Sequence, residues 1–375
     1  MRDLWVKRQR RGTTSKGGAL AIAIAAVLGC ATVLAPASYG AGAFPPPGGQ
    51  AFHGVSDTGE LNRLYSFQRM LHVHTPVVQN FVTWGLGKPL HEAYRHWRKV
   101  HSRGMLSIST APGYAEPGVI SPRAIARGQG DGYILQLNRE FKQLGDPVYI
   151  RLMPEMNGSW NAYSAFNSDG SSRGADNAAN WYRQAWRRFD VVVHGGPLHK
   201  VNRRLRRLNL PKVKARWNYS KRGLPRKLPQ PKVAMIWVPQ TSGSPKLRSN
   251  RPRSYWPGGR YVDWVGLDTY SKYPNFDALS KFYKRKQWDN KPFMIGEYAP
   301  WESDAAAWVR QLFRWQHAHQ RAKMLVYYQG FGATGNPFLL KQYPHAKRTL
   351  RRILSAREYK PYAAGSRDKP GMIFH

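Results

Sequence analysis

Val148-Tyr149-Ile150-Arg151-Leu152-Met153 is a short apolar run closed by Pro154-Glu155. Its length, its branched and aromatic side chains and the proline at its end mark a buried strand rather than a helix. Seven more runs of this kind can be counted, at residues 51–56, 77–84, 104–110, 233–239, 262–270, 292–297 and 323–329. Amphipathic stretches with helical spacing lie between most of them, for example 90–101, 124–144, 177–193 and 305–318. Strands alternating with helices imply a parallel sheet. Eight of them imply an α/β fold closed as a (β/α)8 TIM barrel. The rival is an open doubly wound sheet, which usually carries a Gly-rich turn after its first strand. No such turn follows Ser56.

In a barrel, chemistry gathers where the strands end. Those ends are Trp84, Thr110-Ala111-Pro112, Glu155-Met156-Asn157, Pro239-Gln240, Asp268-Thr269-Tyr270, Glu297-Tyr298 and Tyr328-Gln329. Two glutamates stand among them, after strands four and seven. Strand alternation groups Arg151, Met153 and Glu155 on one side and Phe293, Ile295 and Glu297 on another. If both sides face the axis, the two carboxyls meet in the mouth, at an expected separation of about 5–6 Å. Paired carboxyls suit glycoside hydrolysis: one protonates the leaving oxygen and the other acts at the anomeric carbon, directly when they lie ~5–5.5 Å apart. Arg151 is a cation suited to keeping one of them charged. Asp268 reads as support for Tyr270 or the cleft, and Asp263 as a further acid. Trp84 and Trp160 are aromatics that either stack on sugar rings or pack the rim. Tyr327 and Tyr328 alternate, so at most one faces inward. His72-x-His74 and His317-x-His319 lack carboxylates in a ligand pattern, so neither a metal nor another cofactor is expected.

Three motifs carry a resemblance. The stretch from Tyr149 to Trp160, with Arg151 four residues before Glu155 and then Met156-Asn157-Gly158-Ser159-Trp160, resembles the acid/base strand of glycoside hydrolase family 26. Tyr255-Trp256-Pro257-Gly258-Gly259-Arg260-Tyr261-Val262-Asp263-Trp264-Val265-Gly266-Leu267-Asp268-Thr269-Tyr270 resembles that family's sixth strand and its approach. Lys291-Pro292-Phe293-Met294-Ile295-Gly296-Glu297 resembles its nucleophile strand. The resemblance implies a retaining endo-hydrolase of β-linked polysaccharides, most often β-mannan, with Glu155 as acid/base and Glu297 as nucleophile. It also implies Tyr270 beside the nucleophile and Trp160 along the cleft. Arg151, Asn157, Trp84 and Asp268 complete the expected substrate-binding set. The sequence departs from the family at Pro154, where a histidine usually precedes the acid/base. A proline has no side-chain donor and no N–H, so the usual sugar contact is missing. A non-catalytic carbohydrate-binding relative is the alternative this departure motivates.

The ends of the chain read differently. Six Lys or Arg residues up to Lys16 precede an apolar stretch, residues 17–35, a pattern shared by export signals and membrane anchors. Ala35-Pro36-Ala37 and Ala41-Gly42-Ala43 offer small residues for cleavage. Residues 1–43 are therefore expected to be a signal peptide or anchor, 44–50 a Pro/Gly linker, 51–342 the barrel and 343–375 a basic tail. The expected location is secreted or extracytoplasmic, and the expected state monomeric. Cys30, the one cysteine, lies in the apolar stretch, so the barrel holds no disulfide. The formal net charge is +38. Residues 199–232 alone hold 13 Lys or Arg and no Asp or Glu. This segment is expected as an insertion at the strand N-terminal side, available to anionic cell-wall polymer or membrane surface. No nucleic-acid module pattern accompanies the charge.

Overall fold

A computed structural model describes residues 41–214, 223–332, 335 and 337–359. Eight parallel strands close into a barrel: β1 Phe52–Asp57, β2 Val77–Thr83, β3 Arg103–Ser109, β4 Val148–Leu152, β5 Val233–Trp237, β6 Trp264–Tyr270, β7 Phe293–Ala299 and β8 Ala322–Tyr327. Each pairs with its neighbours in chain order, and β1 pairs with β8 to close the ring. The wall is α1 Leu61–Leu71, α2 Gly87–Lys99, α3 Pro122–Ala126, α4 Asp131–Leu144, α5 Ala179–His194, α6 Leu198–Arg207, α7 Phe276–Tyr283, α8 Ala306–Ala318 and α9 Pro344–Leu354. Between β5 and β6 short 3-10 turns replace the helix. The single helix expected over 124–144 is broken, because Gly128 takes φ +84° between α3 and α4.

Alternation divides each strand between two cores. Phe52, Val77, Met105, Tyr149, Trp264 and Met294 fill the barrel, while Val78, Leu106, Ile150 and Ile295 pack outward against the helices. This corrects the parity expected for β7, since Phe293 and Ile295 face the helices. Glu297 nevertheless turns inward, because the strand carries a β-bulge at Gly296. Leu267 pairs with Ile295 but Asp268 with Glu297, and Leu325 pairs with Ile295 but Tyr327 with Tyr298. One extra residue on β7 shifts the alternation, as bulges beside active sites do.

The barrel begins earlier and ends later than expected. Residues 44–50 do not behave as a linker: Ala43 belongs to the interior core and Phe44 packs against it. Trp264 Nε1–H donates to the Ala43 carbonyl at 2.5 Å, and Tyr149 Oη to the Phe44 carbonyl at 2.6 Å. Lys323 Nζ donates to the Gly48 carbonyl at 2.8 Å. The segment seals the base because an eight-stranded ring has an open lower end whose apolar layer would otherwise meet water. At the other terminus, α9 buries Ala346, Leu350 and Leu354, and Tyr359 donates to Gln316 at 2.9 Å. The tail expected from 343 thus starts as part of the wall. The stretch expected as signal or anchor lies outside the described residues up to residue 40.

The basic segment is structured where described. Gly196 and Leu228 pair near the base, and Lys232 meets the start of β4. It does not stay there: the Lys214 N–H donates to Asp131 at 2.7 Å, and Asp131 opens α4 at the mouth end of the wall. Arg188, fully buried, forks onto Asp131 at 2.6 and 2.7 Å and also donates to Pro211 O at 2.8 Å. A segment expected only at the strand N-terminal side therefore climbs the outer wall.

Candidate active site

Arg151 is the hub. It projects from β4 into the barrel above the apolar layer and is completely buried. Its Nη1 donates to Gln79 Oε1 at 2.9 Å, to Glu297 Oε1 at 2.9 Å and to the Gly296 carbonyl at 3.2 Å. Its Nη2 donates to Asp268 Oδ2 at 2.8 Å. Glu297 receives a second bond, from Tyr270 Oη to Oε2 at 2.7 Å. Both oxygens of Glu297 are thus acceptors held by donors from two other strands. Burial works against the charge on Arg151, but Asp268 and Glu297 outweigh it and raise its pKa. Burial pushes Tyr270 well above the ordinary phenol value, and Glu297 adds to that, so it stays a donor.

Gly296 makes this crowding feasible. A Cβ there would stand 2.6 Å from Asp268 Oδ1 and 3.0 Å from Arg151 Cζ. Burial pushes Asp268 well above the carboxylate range; Arg151 opposes that shift, whereas Glu297 and Glu155 reinforce it. Arg151 thus bonds two carboxyls, Asp268 and Glu297, with the carboxyl of Glu155 within reach of its field.

Glu155 sits across from this group in different surroundings. β4 ends at Leu152, so strand alternation does not aim it. Instead Met153 and Glu155 adopt φ +45° and +51°, the left-handed region that side chains avoid at about 1–3 kcal/mol each. Hydrogen bonds hold the strained turn. The Met153 N–H donates to Ile108 O at 2.8 Å and the Glu155 N–H to Val238 O at 2.6 Å. Tyr163 Oη donates to Pro154 O at 2.6 Å, and Asn161 Nδ2 to Glu155 O at 2.9 Å. The carboxyl accepts from Gln240 Nε2 at 3.4 Å and from the Trp160 side chain. Burial, then repulsion from Glu297, push it up to about 7, against the pull of Gln240, Arg151 and Trp160. One carboxyl pinned by two donors thus faces another held near the neutral point.

The structure brings Arg151, Glu155, Trp160, Asp268, Tyr270 and Glu297 together. It places two expected substrate contacts elsewhere. Trp84 is 6% exposed and packs on Tyr133 and Phe189, centroids 5.1 and 5.9 Å away. It continues the outward side of β2, with Val78 and Val82, into the helix layer. Asn157 is fully buried, its amide paired to the backbone N–H and carbonyl of Gln240, so it orients the loop that carries Gln240. Asp263 accepts from the Met235 N–H at the base. Tyr328, one of the alternating pair, and Phe81 and Phe331, which the sequence reading did not single out, line the mouth instead. Tyr328 faces Tyr270 and Phe81 at 6.3 and 5.6 Å, whereas Tyr327 packs outward on Phe67. Phe81, Tyr328, Phe331 and Arg63 help line a hollow of about 470 Å³ at the β1–β2 rim. The alternation of β2 from Val77 through Gln79 was the signal for Phe81. Among the described residues no group of three or more His, Cys, Asp or Glu could hold a metal ion.

No protein-family model matches the chain. It is 29% identical over 168 residues to mannan endo-1,4-beta-mannosidase A and B of Caldalkalibacillus mannanilyticus, covering 45% of this chain and 25% of that protein. It is 24% identical over 177 residues to a beta-1,3-xylanase of Alcaligenes sp., covering 47% of this chain and 28% of that one. The matched stretch spans about a quarter of the length of these curated relatives. In fold the chain is similar to GH26A from a Muricauda species, with TM-score 0.51, 15% identity and coverage of 83% and 91% of the two chains. The chain is thus similar in fold to a family 26 glycoside hydrolase and, along somewhat less than half of its length, similar in sequence to a mannan endo-mannosidase and a beta-1,3-xylanase.

Proposed function

We propose that this chain is a retaining endo-hydrolase of β-linked polysaccharide, with Glu155 as acid/base and Glu297 as nucleophile. The observation that carries the proposal is the contrast between the two carboxyls. Glu155 is pushed up to about 7, which suits a group that must give and then take a proton near neutrality. Glu297 has its oxygens aligned by Arg151 and Tyr270, which suits a group that attacks rather than shuttles protons.

In the first step Glu297 bonds to the anomeric carbon, the glycosidic C–O bond breaks, and the Glu155 proton passes to the leaving oxygen. In the second, water attacks the glycosyl ester, Glu155 takes its proton, and Glu297 leaves as carboxylate. Trp160, Tyr328 and Phe81 offer apolar faces for the sugar rings, as aromatic walls do in concave sites. The substrate we propose is mannan or another β-glycan with weak preference for mannan. Pro154 supplies no donor where a polar side chain would read a hydroxyl, and a missing hydrogen-bond partner removes strong discrimination.

Two measurements test this. A mechanism-based fluoro-sugar should label Glu297, and the first-formed product should keep the β configuration by NMR. An inverted product would sink the double displacement. On a glycan panel, Pro154→His should raise mannan hydrolysis relative to other β-glycans. Wild-type enzyme that cleaves mannan far better than every other glycan would remove Pro154 from the account. We further propose that the protein acts outside the cytoplasm as a monomer, to be checked by fractionation and by sedimentation of the purified chain.

A further inference from the structure

Away from the cleft, the feature that stands out is a ridge of unbalanced charge. α6 turns Val201 and Leu205 into the wall and presents Lys200, Arg203, Arg204, Arg206 and Arg207 to solvent. Asn202 ties the helix to the following segment by accepting from the Val213 N–H at 2.9 Å. Five more exposed Lys or Arg residues follow in the described parts of 208–232, and no acid occurs between 199 and 232. Arg204 reaches Asp190 at 3.5 Å. Among the described residues no other α6 cation forms an ion pair. Like charges spaced three and four residues apart on a helix repel. Here they are nevertheless held on a rigid, anchored helix rather than spread over a floppy loop.

We propose that this ridge is a docking surface for an acidic polysaccharide, a linear chain with repeated carboxylates. Charge complementarity selects a polyanion. An interfacial membrane helix would add exposed Trp, Phe or Leu beside its cations, and single-stranded nucleic acid would call for aromatic platforms. Among the described residues the large exposed apolar side chains are Phe81, Leu86, Tyr114, Val119, Tyr273 and Phe331, none of them on this ridge, and Trp217 and Tyr219 of the same stretch lie outside those residues. The choice of a glycan among polyanions rests on the hydrolase reading of the cleft. The ridge climbs the wall to Lys214, beside Asp131 at the mouth end of α4. It would thus hold acidic matrix next to the cleft while the neutral chain is cut, as a second contact raises effective concentration.

The test uses the full chain in affinity electrophoresis through polygalacturonate, with neutral β-glycan, duplex DNA and phosphatidylserine vesicles as parallel arms. Retention by polygalacturonate is expected at low salt, falling roughly tenfold or more between 50 and 200 mM, because the contact is ionic. R203E/R206E/R207E should lose retention roughly tenfold, whereas its melting temperature and its activity on soluble neutral oligosaccharide stay as in wild type. If charge reversal disturbs folding, R203Q/R206Q/R207Q gives the same reading in milder form. A folded variant retained as strongly as wild type overturns the proposal. So does a wild-type chain that prefers DNA or vesicles over the acidic glycan. Retention without hydrolysis of any neutral glycan would fail the hydrolase and leave the ridge standing.

Discussion

Gly296→Ala is the sharpest perturbation the structure offers. Gly296 is not in the left-handed region, so alanine there brings no φ strain; the whole effect is steric. The added Cβ would lie 2.6 Å from Asp268 Oδ1 and 3.0 Å from Arg151 Cζ, where ordinary contact begins near 3.4 Å. Neither neighbour is the free end of an exposed chain. Both are buried, and Arg151 is bonded to Gln79, Asp268 and Glu297 at once. Overpacking a tight interior costs about 1–3 kcal/mol, and breaking the arginine network would put this variant at the upper end. Because Arg151 aims Glu297, a shift of several tenths of an ångström should also reduce kcat/KM by roughly one to two orders of magnitude. Urea denaturation would read the first effect and hydrolysis of a β-glycan oligosaccharide the second. Gly87→Ala serves as the control, since a Cβ there meets nothing within 4 Å. A Gly296→Ala enzyme within about 0.5 kcal/mol and twofold of wild type would refute the claim that the bulge and the arginine are packed to a limit.

Three other expectations follow from the same geometry. Glu155 must be protonated to act as an acid, and burial with Glu297 pushes it up to about 7, so kcat/KM should fall as pH rises through that value. Gln240→Ala should move that limb upward, because its amide favours the carboxylate; an unmoved limb would assign the titration elsewhere. Tyr270→Phe keeps its packing against Trp301 and Phe338 but loses the bond to Glu297. A hydrogen bond to a charged group contributes about 1.5–3 kcal/mol to stability, so the variant should unfold more easily by about that much, and kcat/KM should fall ~10–100-fold as Glu297 loses its second anchor. Trp84→Ala should cost about 3–5 kcal/mol of stability yet leave KM unchanged in the folded enzyme. A raised KM would return Trp84 to the cleft.

The barrel was legible because hydrophobic periodicity is a property of each strand by itself. Eight apolar runs between amphipathic stretches have few other solutions. The carboxyls were legible because strand ends define the mouth. What escaped the sequence depends on contacts between distant segments. The inward turn of Glu297 comes from a bulge visible only in the pairing of β7 with β6 and β8. Glu155 is aimed by two left-handed residues that no alternation rule anticipates. Trp84 keeps the outward side of Val78 and Val82, and its partners there, Tyr133 and Phe189, come from distant helices. α6 was hidden because its five exposed cations swamp the two apolar residues, Val201 and Leu205, that fasten it. Residues 44–50 looked like a linker from their prolines and glycines, although their carbonyls are what the base of the barrel needs.

That base also sets what a cut near its start would cost. The Ala43 carbonyl satisfies the buried indole N–H of Trp264, and the Phe44 carbonyl serves both Tyr149 and Arg103. A peptidase that cut after Ala43 would strip away the first acceptor, leaving a buried donor unmet at about 1–3 kcal/mol. It would also create an ammonium at Phe44, beside the apolar layer. Cutting after Ala37 would spare all three contacts. If the chain were cut at either of these two small-residue stretches, the earlier cut would leave the barrel its floor and the later one would not.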